Sequence, residues 1–279
     1  LQKRRSSQQT SRAVLRLSAH PGGCLSATTT TRLATPVPAR APREAEEEWS
    51  DGGVIEIRRA GEKGTGGEGK PLLELYVNDA DGRYRTQFET GTSGGSTNLN
   101  DRRGWERRMF GDVYDNKDTE RPVYGNLNLV PHRSGDRSAR QYGGSYMVLK
   151  EPVRKRCTIT SRDSSNKKAV LGTLGHFAHG LVDTVGRCSS VAKKKELLQL
   201  LDYAALKPGD RTFPAIDPRL LPTYQEVQIH GRLDFARDVQ FVVVCDADIT
   251  ERTRPLLTQF KERYGVPSYR LTSDGFITL

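Results

Sequence analysis

The longest uninterrupted apolar run in this chain of 279 residues is Phe241 to Cys245, five residues in all. A run that short is strand-sized, whereas a membrane-spanning helix needs about twenty apolar residues. The fold therefore has to be assembled from many short elements, one of them a strand buried on both faces. A soluble globular chain that makes no use of a membrane is the expectation.

Around that run, strands and helices alternate irregularly. Val54 to Arg59 and Leu72 to Val77 read as a long-looped hairpin, and Tyr84 to Glu89 as a further strand. Asp101 to Phe110 reads as a helix stopped by Gly111. Val123 to Val130, Ser145 to Lys150 and Cys157 to Ser161 read as strands. A helical stripe runs from Ala169 to Val185, and a second helix from Val191 to Leu201. Tyr224 to His230 and Asp238 to Cys245 follow as strands, then a helix from Thr253 to Tyr264 capped by Gly265, and a last strand or two from Ser268 to Leu279. No repeating strand–helix–strand rhythm emerges, so the expected class is α+β rather than a doubly wound sheet.

The formal net charge is +10, which would suit a nucleic-acid partner if it were spread over the fold. It is not. Residues 1–43 hold eight Lys and Arg and no Asp or Glu, which leaves +2 for residues 44–279. Residues 1–49, rich in Ser, Thr and Arg, read as a disordered basic tail, either a simple linker or an organellar targeting segment. Residues 50–279 read as one α+β domain for which nucleic acid is not the expected partner. The chain opens on Leu rather than Met, so its N-terminus reads as incomplete. Four widely spaced cysteines without a CxxC pair indicate free thiols in an intracellular, reducing compartment.

The strand around Glu226 carries the chemistry. Alternation places Tyr224, Glu226, Gln228 and His230 on one face and Gln225, Val227 and Ile229 on the other. A solvated polar face is the simplest account of such a pattern. Glu226 and His230 stand too far apart along the strand for a direct acid–base pair.

Several motifs in one order resemble an uncharacterised bacterial family of unknown function: Phe88 to Gly95 (FETGTSGG), Trp105 to Gly111 (WERRMFG), Arg121 to Leu129 (RPVYGNLNL), Gly144 to Tyr146 (GSY) and Glu226 to Gly231 (EVQIHG). The same order is distantly similar to the ADP-ribosyltransferase superfamily. That resemblance implies a pair of small antiparallel sheets with flanking helices, and NAD as the cofactor consumed. It implies that Thr90 and Gly91 hold the nicotinamide end, that Ser145 and Tyr146 brace it, and that Glu226 contacts the ribose as the catalytic group. ADP-ribose would pass to an unknown acceptor, possibilities including a protein; the alternative is a noncatalytic nucleotide- or protein-binding module on the same fold. The sequence departs from the superfamily where Arg or His should precede Gly91. Thr90 stands there, and the nearest Arg on that segment is Arg85. Tyr224 likewise occupies the position, two before Glu226, where many such transferases carry Glu or Gln.

Other constellations are weaker. Gly64 to Lys70 fits the first seven positions of a phosphate-binding loop, but Pro71 replaces the hydroxyl residue that would bind magnesium. His176 and His179 lack a third ligand at metal spacing and read as structural, so no metal is expected. Ser93 reads as a loop serine, and Trp105 to Arg108 as a solvated helix face with an anchoring Trp.

Overall fold

The computed structural model describes residues 54–57, 72–91, 98–128, 139, 142–204, 224–272 and 275–279. The basic segment 1–49, the glycine-rich Gly64 to Lys70 and Ser93 lie outside them. In chain order the elements are β1 (Val54–Ile57), α1 (Leu72–Val77), β2 (Arg83–Tyr84), α2 (Gln87–Thr90), α3 (Leu99–Phe110), β3 (Val123–Asn128), β4 (Tyr146–Leu149), β5 (Cys157–Thr160) and β6 (Leu171–Thr173). Then come α4 (Ala178–Gly186), α5 (Val191–Ala204), β7 (Glu226–Ile229), β8 (Leu233–Asp234), α6 (Phe235–Asp238), β9 (Val239–Cys245), α7 (Thr253–Tyr264), β10 (Ser268–Thr272) and β11 (Gly275–Thr278).

The α+β class holds. Among the described residues, nine strands form one sheet in the order β11-β10-β9-β4-β1-β3-β7-β5-β6, and β2 pairs with β8 in a two-stranded ribbon. The pairs are antiparallel except β9 with β10, which run parallel and are joined through α7. β1 pairs with β3 on one side and β4 on the other rather than with Leu72–Val77.

Register and alternation give the sheet two unlike faces. One carries Val123, Leu127, Met147, Leu149, Ile159, Val227, Ile229, Val242 and Val244, packed with Tyr76 and Val77 of α1, Phe235 of α6, and Leu257 and Phe260 of α7. Burying a side chain such as Phe260 there contributes about 2 kcal/mol. The opposite face of β3, β7 and β5 carries Tyr124, Asn126, Glu226, Gln228, Thr158 and Thr160, matched across the strands by register. Asn126, Glu226, Gln228 and Thr160 are all buried, so this face is enclosed rather than solvated.

Three segments differ from their sequence pattern. Leu72–Val77 is a helix, because its apolar residues 72, 73, 76 and 77 also fit one helical face. Its last carbonyls are satisfied from α7: Tyr264 Oη donates to Tyr76 O at 2.9 Å, and Arg263 donates to Val77 O. Beyond Tyr84 the chain turns into α2 through a reciprocal cap. Thr86 Oγ1 accepts from Glu89 N (3.2 Å), while Glu89 Oε2 accepts from Thr86 N (2.9 Å). Within the expected 169–185 helix, Leu171–Thr173 instead forms an edge strand against β5.

Candidate functional site

Helix α3 lies over the polar face and closes it. Asn98 caps the helix, its side chain accepting from Asn100 N and Asp101 N. From α3, Glu106 faces inward and is 1% exposed. It accepts from Tyr124 Oη at 2.9 Å and from Arg121, which also donates to Asp118 at 2.9 Å. The Arg102 guanidinium stands 5.7 Å from the Tyr124 ring. In the WERR segment Arg107 and Arg108 are exposed as expected, but Glu106 is not: with Arg102, four residues earlier, it forms the buried side of α3. That i, i+4 spacing was the available signal.

Glu226 heads β7 beneath this cover. Its Oε1 accepts from Ser164 N (3.2 Å) and Gln228 Nε2 (3.0 Å), and its Oε2 accepts from Tyr224 Oη (3.4 Å). Burial, and then the charge of Asp163, push its carboxyl up to about 7, against the pull of the Ser164 and Gln228 hydrogen bonds. Burial followed by the carboxylates of Glu106 and Glu226 raises the phenol of Tyr124, and burial followed by Glu226 raises that of Tyr224. Both phenols thus remain donors. Arg108 donates to Ser164 O and ties the Ser164 turn to α3.

The remaining expected site residues are distributed around this centre. Thr90 ends α2, its hydroxyl donating to Thr86 O at 3.1 Å. Gly91 follows with φ +64° and donates its N–H to Gln87 O at 2.9 Å. The Thr90–Gly91 pair is thus a helix stop, for which glycine supplies the left-handed conformation. It connects to the site through Phe88, whose ring centre lies 4.2 Å from the Arg121 guanidinium. Arg85 is held in ion pairs with Asp79 (2.7 Å) and Asp81 (2.7 Å).

Ser145 donates to Asp248 and accepts from Cys245 N at 3.1 Å. Tyr146 opens β4 opposite Val243 and is 4% exposed. It shares the sheet face of Glu226, but β1 and β3 intervene. The register offset is two residues, so the two positions stand roughly 15 Å apart at ordinary strand spacing. The described residues therefore gather Glu226 with Tyr124, Tyr224, Gln228 and Ser164, while Ser145 and Tyr146 occupy another part of the sheet.

His176 precedes α4 rather than lying on it. His179 donates from Nε2 to Leu171 O at 3.0 Å. Among the described residues no group of three or more His, Cys, Asp or Glu could hold a metal ion, and no helix is long and apolar enough to cross a membrane.

The sheet and its enclosed carboxylate define an α+β protein with a polar cluster built on one face of a large, mostly antiparallel sheet. The chain belongs to the family described as Protein of unknown function (DUF3626), whose model matches residues 74–276. No curated protein matches it. Among solved structures it is similar to Thermus sp. 2.9 DarT in complex with ADP-ribosylated ssDNA, with 14% identity and a TM-score of 0.34 over 81% of this chain and 93% of that one. It is also similar to the same DarT in complex with NAD+, with 12% identity and a TM-score of 0.32 over 78% and 92% of the two chains.

Proposed function

We infer that this protein is an ADP-ribosyltransferase-like enzyme that cleaves the nicotinamide–ribose bond of NAD and passes ADP-ribose to an acceptor, with Glu226 as the catalytic carboxylate. The observation that carries the reading is the setting of Glu226, a buried carboxylate at the head of a central strand, aligned by three donors. Breaking that glycosidic bond builds positive charge on the ribose. A carboxylate already oriented by Ser164, Gln228 and Tyr224 stabilises this charge without reorganising. Ionisation near neutrality means the group is ready to act on the alkaline side of about 7.

The sequence resemblance assigns Thr90 and Gly91 to the nicotinamide end and Ser145 and Tyr146 to bracing it, but Tyr146 stands roughly 15 Å from Glu226 at ordinary strand spacing, so the reading rests on Glu226. The near-neutral balance of residues 44–279 favours a nucleotide and a protein acceptor over nucleic acid. Nicotinamide release from NAD, followed by chromatography with and without candidate acceptors, is the test. Turnover that is present in the wild type and lost in Glu226→Gln supports the reading; intact NAD in the wild type overturns it.

The position of Ser145 and Tyr146, separated from the strand of Glu226 by β1 and β3, favours a second reading, a noncatalytic nucleotide- or protein-binding module. Calorimetry that records NAD binding without nicotinamide release would select it. Absence of any nucleotide binding would leave a protein-interaction role.

A further inference from the structure

A chain of hydrogen bonds runs from the rim of the cluster to Glu226. Gln228 Nε2 donates to Glu226 Oε1 at 3.0 Å and to Thr160 Oγ1 at 3.1 Å. Gln228 Oε1 accepts from Thr158 Oγ1 at 3.0 Å. Thr158 Oγ1 lies 2.8 Å from His230 Nε2, and His230 Nδ1 is bonded to the Tyr114 hydroxyl. Tyr114 and His230 are half-buried, whereas Gln228 and Glu226 are enclosed.

The charge at one end sets the direction of the whole chain. An ionised carboxylate only accepts hydrogen bonds, so Gln228 turns its NH2 toward Glu226 and its carbonyl toward Thr158. The single hydroxyl proton of Thr158 goes to that carbonyl, so Thr158 must accept from His230. The imidazole therefore carries its proton on Nε2, and Nδ1 accepts from Tyr114. Burial, followed by the carboxylates of Glu106 and Glu120, keeps the Tyr114 phenol protonated. Burial, followed by Arg156, disfavours a second proton on His230.

We propose that His230 is a positioning residue for Glu226: as the Nε2–H tautomer it acts through Thr158 and Gln228 to hold a donor on the ionised carboxylate. The proposal rests on the reading of Glu226 as the reacting group for its catalytic meaning, but it concerns a charge that can be measured without substrate. The fold supplies the geometry. Glu226, Gln228 and His230 alternate on one face, Thr158 stands opposite Gln228 on β5, and His230 N donates to Arg156 O at 3.0 Å. The Phe110 ring meets the imidazole edge-on at 5.1 Å. The other titratable groups facing Glu226 are Asp163, Tyr224 and Tyr124, with Glu106 behind Tyr124. None of them changes in the variants below.

The test is NMR on the full chain: ring 15N shifts of His230 at about pH 8, and the carboxyl 13C titration of Glu226. The wild type should show the Nε2–H tautomer. Thr158→Val and His230→Phe should each raise the Glu226 midpoint by about one unit, the effect of weakening one hydrogen bond to a charged group. His230→Gln, whose amide can donate from near the Nε2 position, should restore it, which a merely space-filling role would not predict. If Thr158→Val fails to melt cooperatively, the His230→Phe and His230→Gln pair decides the matter. An Nδ1–H tautomer, or an unmoved Glu226 midpoint in His230→Phe, overturns the proposal. Absence of NAD turnover would sink the functional reading and leave this one standing, and the reverse also holds.

Discussion

Arg121 donates to the carboxylate of Glu106 where the two side chains are only 2% and 1% exposed, and the pair joins α3 to the start of β3. Removing one partner strands the other charge away from water. Arg121→Met should therefore destabilise the protein by about 3–5 kcal/mol in urea denaturation. The double change Glu106→Leu with Arg121→Met should recover most of that loss. A single-variant cost no larger than that of an exposed ion pair would contradict the enclosure of this pair.

The pH dependence of stability should carry the signature of Glu226. Its folded value is raised from 4.5 to about 7. Its contribution to stability is therefore fully present below the unfolded value and is lost as pH rises through the folded one. The loss is on the order of 3 kcal/mol at ~1.4 kcal/mol per unit. Glu226→Gln should melt higher than wild type at about pH 8 and close to it below pH ~4.5. A gap that is the same at both pH values would be inconsistent with a buried, titrating carboxyl.

The lid over the site depends on a local cap. Asn98 Oδ1 accepts from Asn100 N at 3.0 Å and Asp101 N at 3.3 Å. Asn98→Ala should cost about 1 kcal/mol, and Asn98→Asp should retain most of the stability. Chemical denaturation of the three proteins measures both effects.

The thiol of Cys157 is pushed up to about 12 by burial, against the pull of Arg156 and Arg154, and it donates to Val153 O at 3.2 Å. Thiol labelling mapped by mass spectrometry should leave Cys157 unmodified in the native protein and modify it after denaturation. Labelling of Cys157 under native conditions would point to opening of β5.

Much of the sheet was legible because its strands alternate or run apolar: β3, β4, β5, β7 and β9 all fall within segments read from pattern alone. So was the face on which Glu226 stands. What was missed was the cover, for which the i, i+4 spacing of Arg102 and Glu106 was a local sign but their distant partners were not visible. Glu106 looks solvated until Arg121 and Tyr124, fifteen and eighteen residues away, are seen to meet it. The helix at Leu72–Val77 likewise takes its closing donors from Arg263 and Tyr264, near the other end of the chain. The Thr86–Glu89 capping box, in contrast, was present as a local T-x-x-E signal that the alternation of Tyr84 to Glu89 concealed. The position of β1 was hidden for the same reason as the cover, since all of its partners are distant in sequence.

β1 is the hinge-pin of the sheet. Without Val54–Ile57, the order would break into two four-stranded pieces, β11-β10-β9-β4 and β3-β7-β5-β6, each exposing a new unpaired edge. The family match begins at residue 74, so a fragment trimmed to it would discard the strand that unites the half bearing Tyr146 with the half bearing Glu226.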